Sequence, residues 1–166
     1  MKIIFICISC FLVVGLAVAV TSLSIFDKVD APYVKHVFLG EIGEIVNDEF
    51  DVKTKCNYQI NFHMVHKSKV YNEYEDILIN RQLPVSIELQ VDAYDEGVFE
   101  NVFREVKSPK VEGLGLNITS LNFGNVSLAR GHYRIKAEVL DGNPASLHDI
   151  DFILRVEVKP KITCEN

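Results

Sequence analysis

Val85-Ser86-Ile87-Glu88-Leu89-Gln90-Val91-Asp92-Ala93-Tyr94 is the stretch that decides the fold class. In an extended chain Val85, Ile87, Leu89, Val91 and Ala93 share one side, while Ser86, Glu88, Gln90 and Asp92 share the other. Successive Cβ atoms of a pleated chain point to opposite faces, so this alternation specifies a strand with one face in a core and one in water. Wound into a helix, the same apolar residues would be scattered around the axis and could not be buried together.

Three other segments repeat the pattern. From His132 to Val139 the inward set is Tyr133, Ile135, Ala137 and Val139, and from Asp151 to Lys159 it is Phe152, Leu154, Val156 and Val158. Tyr58, Ile60, Phe62 and Met64 alternate with Gln59, Asn61 and His63. Weaker strands are expected over Tyr33 to Leu39, Glu44 to Val52, Phe103 to Lys107 and Leu116 to Phe123, which makes seven or eight. Turn signals separate them at Asp95-Glu96-Gly97, Ser108-Pro109, Gly113-Leu114-Gly115, Gly124-Asn125 and Asp141-Gly142-Asn143-Pro144. The best helical candidate, Tyr71 to Ile79, is rich in acids and reads as a long loop or a single turn. Short strands at this spacing predict an all-β domain, a two-layer antiparallel β-sandwich of immunoglobulin-like type rather than a closed barrel. Tyr133, opening a late strand after Gly131, fits the tyrosine corner of such sandwiches, in which the hydroxyl bonds back to loop backbone.

Ahead of this domain, Lys2 precedes an apolar run from Ile3 to Val20 broken only by Ser9. That order, with small residues at Ala17 and Ala19, predicts an N-terminal hydrophobic helix that serves as a signal peptide cleaved just after Ala19. The run is also barely long enough to cross a hydrocarbon core of about 30 Å, so an uncleaved signal anchor is the alternative. The expected organisation is therefore residues 1–24 as signal or anchor and 25–166 as one exported sandwich domain, touching membrane only through residues 3–20. Both readings export that domain. About 140 residues is an ordinary size for one core.

Cysteine usage agrees with export. Cys7 and Cys10 fall in the leader, which leaves Cys56 and Cys164 as an isolated pair. In an oxidising compartment such a pair is expected to form a disulfide. No CxxC or Cys-His spacing suggests metal.

The residues Glu49-Phe50-Asp51-Val52, Asn57 to Phe62, Leu83-Pro84-Val85-Ser86-Ile87, Leu128 to Ile135 and Asn143-Pro144 together resemble a family of bacterial exported proteins, domain of unknown function 5625. Its pattern is a Tyr-containing strand, a Leu-Pro strand start and a Gly-x-Tyr-Arg turn, and the likeness spans about residues 35 to 160. The resemblance implies a cell-envelope sandwich with no catalytic motif, in a bacterial periplasm or at the outer envelope surface, with secretion as the alternative; the family often carries a lipoprotein signal, and this chain departs from it by lacking a lipobox. It also implies that the sequons at Asn117 and Asn125 are chance matches rather than glycan acceptors, which they would be in a eukaryotic secreted protein.

Charge and motifs narrow the function. Outside the leader the chain carries 16 basic against 23 acidic residues, spread through one another, so nucleic acid is an unsuitable partner. Nucleophile elbow, zinc-protease, Walker and dinucleotide motifs are absent. His63 and His66 lie three apart, which on a strand points them to opposite faces, and they read as surface histidines; His36, His132 and His148 are scattered. The acid groups Asp48-Glu49-Asp51, Glu73-Glu75-Asp76 and Asp92-Asp95-Glu96 read as solvated faces. Tyr71, Tyr74 and Tyr94 are the available stacking rings for a sugar, since Trp is missing. No cofactor, metal or catalytic residue is assigned. The expected function is a non-enzymatic envelope module that binds another protein or an envelope component, in one version as an immunity or inhibitor protein. The alternative is an envelope hydrolase acting on glycan or peptidoglycan through a loop-built carboxylate site drawing on His63 or His148.

Overall fold

A computed structural model describes residues 31–65, 77, 80–114, 118–159 and 164. Ala17, Ala19, His66, Tyr71, Tyr74, Asn117 and the acids at 73–76 therefore lie outside the described residues, as does most of the segment 71–79. Ile77, which is described, is buried.

Nine strands are present among the described residues: β1 (Tyr33–Val37), β2 (Gly43–Val52), β3 (Cys56–Val65), β4 (Val85–Asp95), β5 (Val98–Lys107), β6 (Lys110–Leu114), β7 (Ile118–Leu128), β8 (Gly131–Gly142) and β9 (Asp151–Val158). One 3-10 turn at Pro144–Leu147 follows the Asn143-Pro144 signal. They form two antiparallel sheets, ordered β1-β9-β3-β7-β6 and β2-β8-β4-β5. Among these described strands β4–β5 and β6–β7 are the hairpins between neighbours, and the other consecutive strands lie in opposite sheets.

The alternating residues meet in one core between the sheets. Ile60, Phe62 and Met64 of β3, Phe152, Leu154 and Val156 of β9, Ile87, Leu89 and Val91 of β4, and Ile135 and Val139 of β8 are completely buried. Rings bridge the layers, with Phe123 of β7 6.2 Å from Phe62 and 6.5 Å from Phe103 of β5. At one side Phe50 of β2 lies between Tyr33 and Tyr133. Asp48 of β2 accepts hydrogen bonds from the Tyr33 hydroxyl and the Lys35 ammonium of β1, which closes that edge of the sandwich.

One expected turn is instead part of a strand. Gly124-Asn125 lies inside β7, opposite a bulge between Ile60 and Asn61. A Cβ at Gly124 would come within 2.8 Å of the Phe103 ring, so glycine here makes room for an aromatic core residue rather than for a reversal of the chain. Of the expected turn Gly113-Leu114-Gly115, Gly113 and Leu114 close β6, a strand the alternation does not announce, and Gly115 lies outside the described residues. Asp95-Glu96-Gly97 does reverse the chain, as the β4–β5 hairpin, with positive φ at both Glu96 and Gly97. Two positive-φ central residues make the turn whose twist matches the flanking strands.

Two tyrosines fasten their strand starts alike. The Tyr133 hydroxyl donates to the Ala129 carbonyl at 3.0 Å, and the Tyr58 hydroxyl donates to the Thr54 carbonyl at 2.7 Å. Each is the third residue of its strand, one in each sheet. Cys56, which opens β3, is bonded to Cys164, with Cα atoms 4.7 Å apart and a sequence separation of 108.

Candidate functional site

Strand register, rather than local sequence, assembles the outer face of the four-stranded sheet. Reading across β2, β8, β4 and β5, four rows follow from the pairing: Glu44-Glu138-Glu88-Val106, Asn47-Lys136-Gln90-Arg104, Glu49-Arg134-Asp92-Asn101, and Asp51-His132 beside Tyr94-Phe99. The first row sets three carboxylates directly opposite one another, an arrangement that costs stability by itself. Arg104 of the second row reaches Glu88. Those acids, with Gln90, Arg104 and Lys136, line a shallow groove of about 270 Å³.

The third row holds the strongest departure from a solvated surface. Asp92 faces away from the core, yet its side chain is only 2% exposed. Oδ1 accepts from the Gln90 amide at 2.5 Å and the Asn101 amide at 3.2 Å, and Oδ2 accepts from Arg134 at 2.8 and 3.3 Å. Burial opposes ionisation of this carboxyl, but the hydrogen bonds from Gln90, Arg134 and Asn101 and the charge of Arg134 outweigh it and hold the carboxyl below its ordinary range. The guanidinium so fixed lies 4.1 Å over the Phe99 ring. Phe99 in turn contacts Tyr94, which is 49% exposed, and both rings lie against His132. His132 bridges Asp51 and Glu49 at 2.9 Å each, and these hydrogen bonds raise its pKa.

The outer face of the five-stranded sheet carries a second polar group, and it corrects the expectation for His63. That side chain is 12% exposed rather than free on the surface. Its Nε2 lies 3.2 Å from Glu157 Oε1 of β9, and its Nδ1 lies 3.3 Å from the Ser120 hydroxyl of β7. Glu157 Oε1 also accepts from the Asn61 amide at 2.9 Å, and Oε2 faces Arg155 Nε at 3.3 Å. Burial raises the Glu157 pKa, but His63, Asn61 and Arg155 together bring it below its ordinary value.

The remaining candidates do not converge. Asp48 turns toward β1 whereas Glu49 and Asp51 face outward, and Asp95 and Glu96 stand at the hairpin tip away from the Asp92 carboxyl network. His36 lies on β1, and His148 packs edge-on against Phe38. Among the described residues, no group of three or more His, Cys, Asp or Glu is arranged to hold a metal ion. Asn125 is exposed on β7. Asp92 reads in the sequence as one more polar residue of an alternating strand, because two of its partners come from β5 and β8.

No protein-family model matches the chain, so the likeness to domain of unknown function 5625 stands on its short motifs; no curated protein matches it either. Among solved structures the chain is similar to the crystal structure of GEBA250068378 from Sulfurospirillum deleyianum, with a TM-score of 0.61 at 9% identity over 78% of this chain and 98% of that one. At that identity the likeness concerns the fold alone. A looser likeness to the crystal structure of murine APRIL, with a TM-score of 0.30 at 13% identity over 75% of this chain and 98% of that one, supports no argument.

Proposed function

We propose that the protein is an exported, immunoglobulin-like binding module of the bacterial cell envelope, and that it engages a protein partner through the outer face of the β2-β8-β4-β5 sheet. A hydrophobic N-terminal segment and a disulfide suited to an oxidising compartment support export. The observation that carries the binding reading is the buried Asp92 on a solvent-facing sheet, holding Arg134 over Phe99 beside exposed Tyr94. A carboxylate buried outside the core adds little to stability compared with an apolar residue. What it supplies is a fixed arginine next to aromatic rings on rigid strands. Tyr and Arg are the residues that dominate binding energy at protein interfaces, and fixing them beforehand lowers the ordering cost of association.

The test is affinity capture from envelope extracts with the mature protein as bait, run in parallel with Arg134→Ala and Tyr94→Ala. A partner held through this face is expected to bind each variant about 30-fold more weakly, the equivalent of about 2 kcal/mol for a hot-spot residue. Equal retention by wild type and both variants would count against this face, and capture of nothing would count against the function.

A further inference from the structure

We propose that Ser120 is a nucleophilic serine, a second functional site on the opposite sheet that accepts an acyl group from an ester or similarly activated carboxyl compound. The inference stands apart from the binding face and does not depend on it.

The serine, histidine and carboxylate arrive from three adjacent strands, β7, β3 and β9, so their spacing is set by the sheet ladder rather than by a loop. Ser120 and His63 are direct cross-strand partners, and Glu157 leans along the sheet over Asn61 to reach the far side of the imidazole. The order of contacts is nucleophile, base and orienting acid, the relation that activates a hydroxyl wherever it recurs. Glu157 is held charged by Asn61 and Arg155, so it selects the imidazole tautomer with hydrogen on Nε2. Nδ1 is then left as the acceptor for the serine proton.

Chains of polar residues also occur on sheets simply as surface ladders. Two features set this one apart. Both the histidine and the glutamate are nearly buried, at 12% and 13% exposure, so their interaction is little screened by water. Opposite Ser120 on β6 stands Gly113, where even a bare Cβ would lie 4.0 Å from the serine Cβ. Gly113 therefore has no side chain to lay over the hydroxyl of Ser120, which is partly exposed. Asn122, two residues along the same face, uses one amide hydrogen on the Asn61 side-chain oxygen Oδ1 at 3.2 Å and has a second to offer an oxyanion.

In the step this geometry permits, Ser120 Oγ bonds to the substrate carbonyl carbon while its proton passes to His63 Nδ1. The carbon–oxygen bond to the leaving alcohol then breaks, and His63 returns the proton to that alcohol. Water repeats the sequence on the acyl-serine, releasing the acid and restoring the hydroxyl. Glu157 is a positioning residue throughout.

A fluorophosphonate probe tests this directly, since Oγ would displace fluoride from phosphorus and leave a stable adduct readable by mass spectrometry. The expected result is one adduct on the peptide containing Ser120, none on that peptide in Ser120→Ala, and labelling about 100-fold slower in His63→Gln. Gly113→Val, which leaves the relay intact, is expected to slow labelling by closing the approach. Far-UV spectra and an intact Cys56–Cys164 bond would certify that each variant is folded. No adduct on the wild type, adducts spread over other serines, or equal rates with and without His63 would each overturn the proposal.

Discussion

Replacing Cys56 and Cys164 together by serine is expected to lower the unfolding free energy by about 4 kcal/mol. The bond closes a loop of 108 residues that contains every strand from β3 to β9. In the folded state the ends of that loop are already held, because β9 pairs with β3 along its whole length and Lys159 N–H bonds the Asn57 carbonyl at 3.3 Å. The cross-link therefore acts chiefly on the unfolded chain, whose freedom it restricts more as the loop lengthens. Urea denaturation of the oxidised wild type and of the double variant would show the loss as a lower midpoint. The wild type treated with reductant should match the variant. An unchanged midpoint would mean that the bond contributes nothing to the fold.

Asp92→Ala is expected to cost about 3 kcal/mol, close to the lower limit for breaking a buried ion pair. Arg134 is 26% exposed and can turn its guanidinium toward water, which keeps the loss from being larger. Gln90 and Asn101 lose an acceptor, and the arginine leaves the Phe99 ring. Asp92→Asn keeps the volume and part of the hydrogen bonding, so a smaller loss of about 1 to 2 kcal/mol is expected. The same carboxyl fixes a pH dependence. Its pKa is lower in the folded protein than in the unfolded chain, where aspartate titrates near about 3.9. Its contribution is complete above that unfolded value and is lost as the pH falls through the folded one. Glu157 acts in the same direction. Denaturation midpoints should therefore drop as the pH is lowered from about 5 to 3. Asp92→Ala should show a shallower drop.

Legibility followed the physics of each element. Where one face is buried and the other wet, as in Val85–Asp95 and Gly131–Gly142, alternation is visible and the strands lie close to where it places them. β6 was invisible because a five-residue edge strand, Lys-Val-Glu-Gly-Leu, has a single half-buried apolar residue in Val111. The start of β5 was lost because a bulge between Val91 and Asp92 inserts Val102 and breaks the period. The alternation ends β7 early because a glycine needed by Phe103 looks, in sequence, like a turn. Neither polar constellation could be read ahead of the fold. Gln90 and Asp92 are neighbours, but Arg134 is 42 residues from Asp92, and Glu157 is 94 from His63. Cross-strand register alone brings them together, and register is a property of the assembled sheets.

Side-chain relaxation of the Arg134 Nε–H group by NMR reports most directly on whether the recognition face is built before any partner arrives. A guanidinium pinned between Asp92 and Phe99 should have an order parameter near about 0.85, comparable to rigid backbone, while that of exposed Arg130 stays below about 0.6. An Arg134 as mobile as Arg130 would mean that the face is ordinary solvated surface.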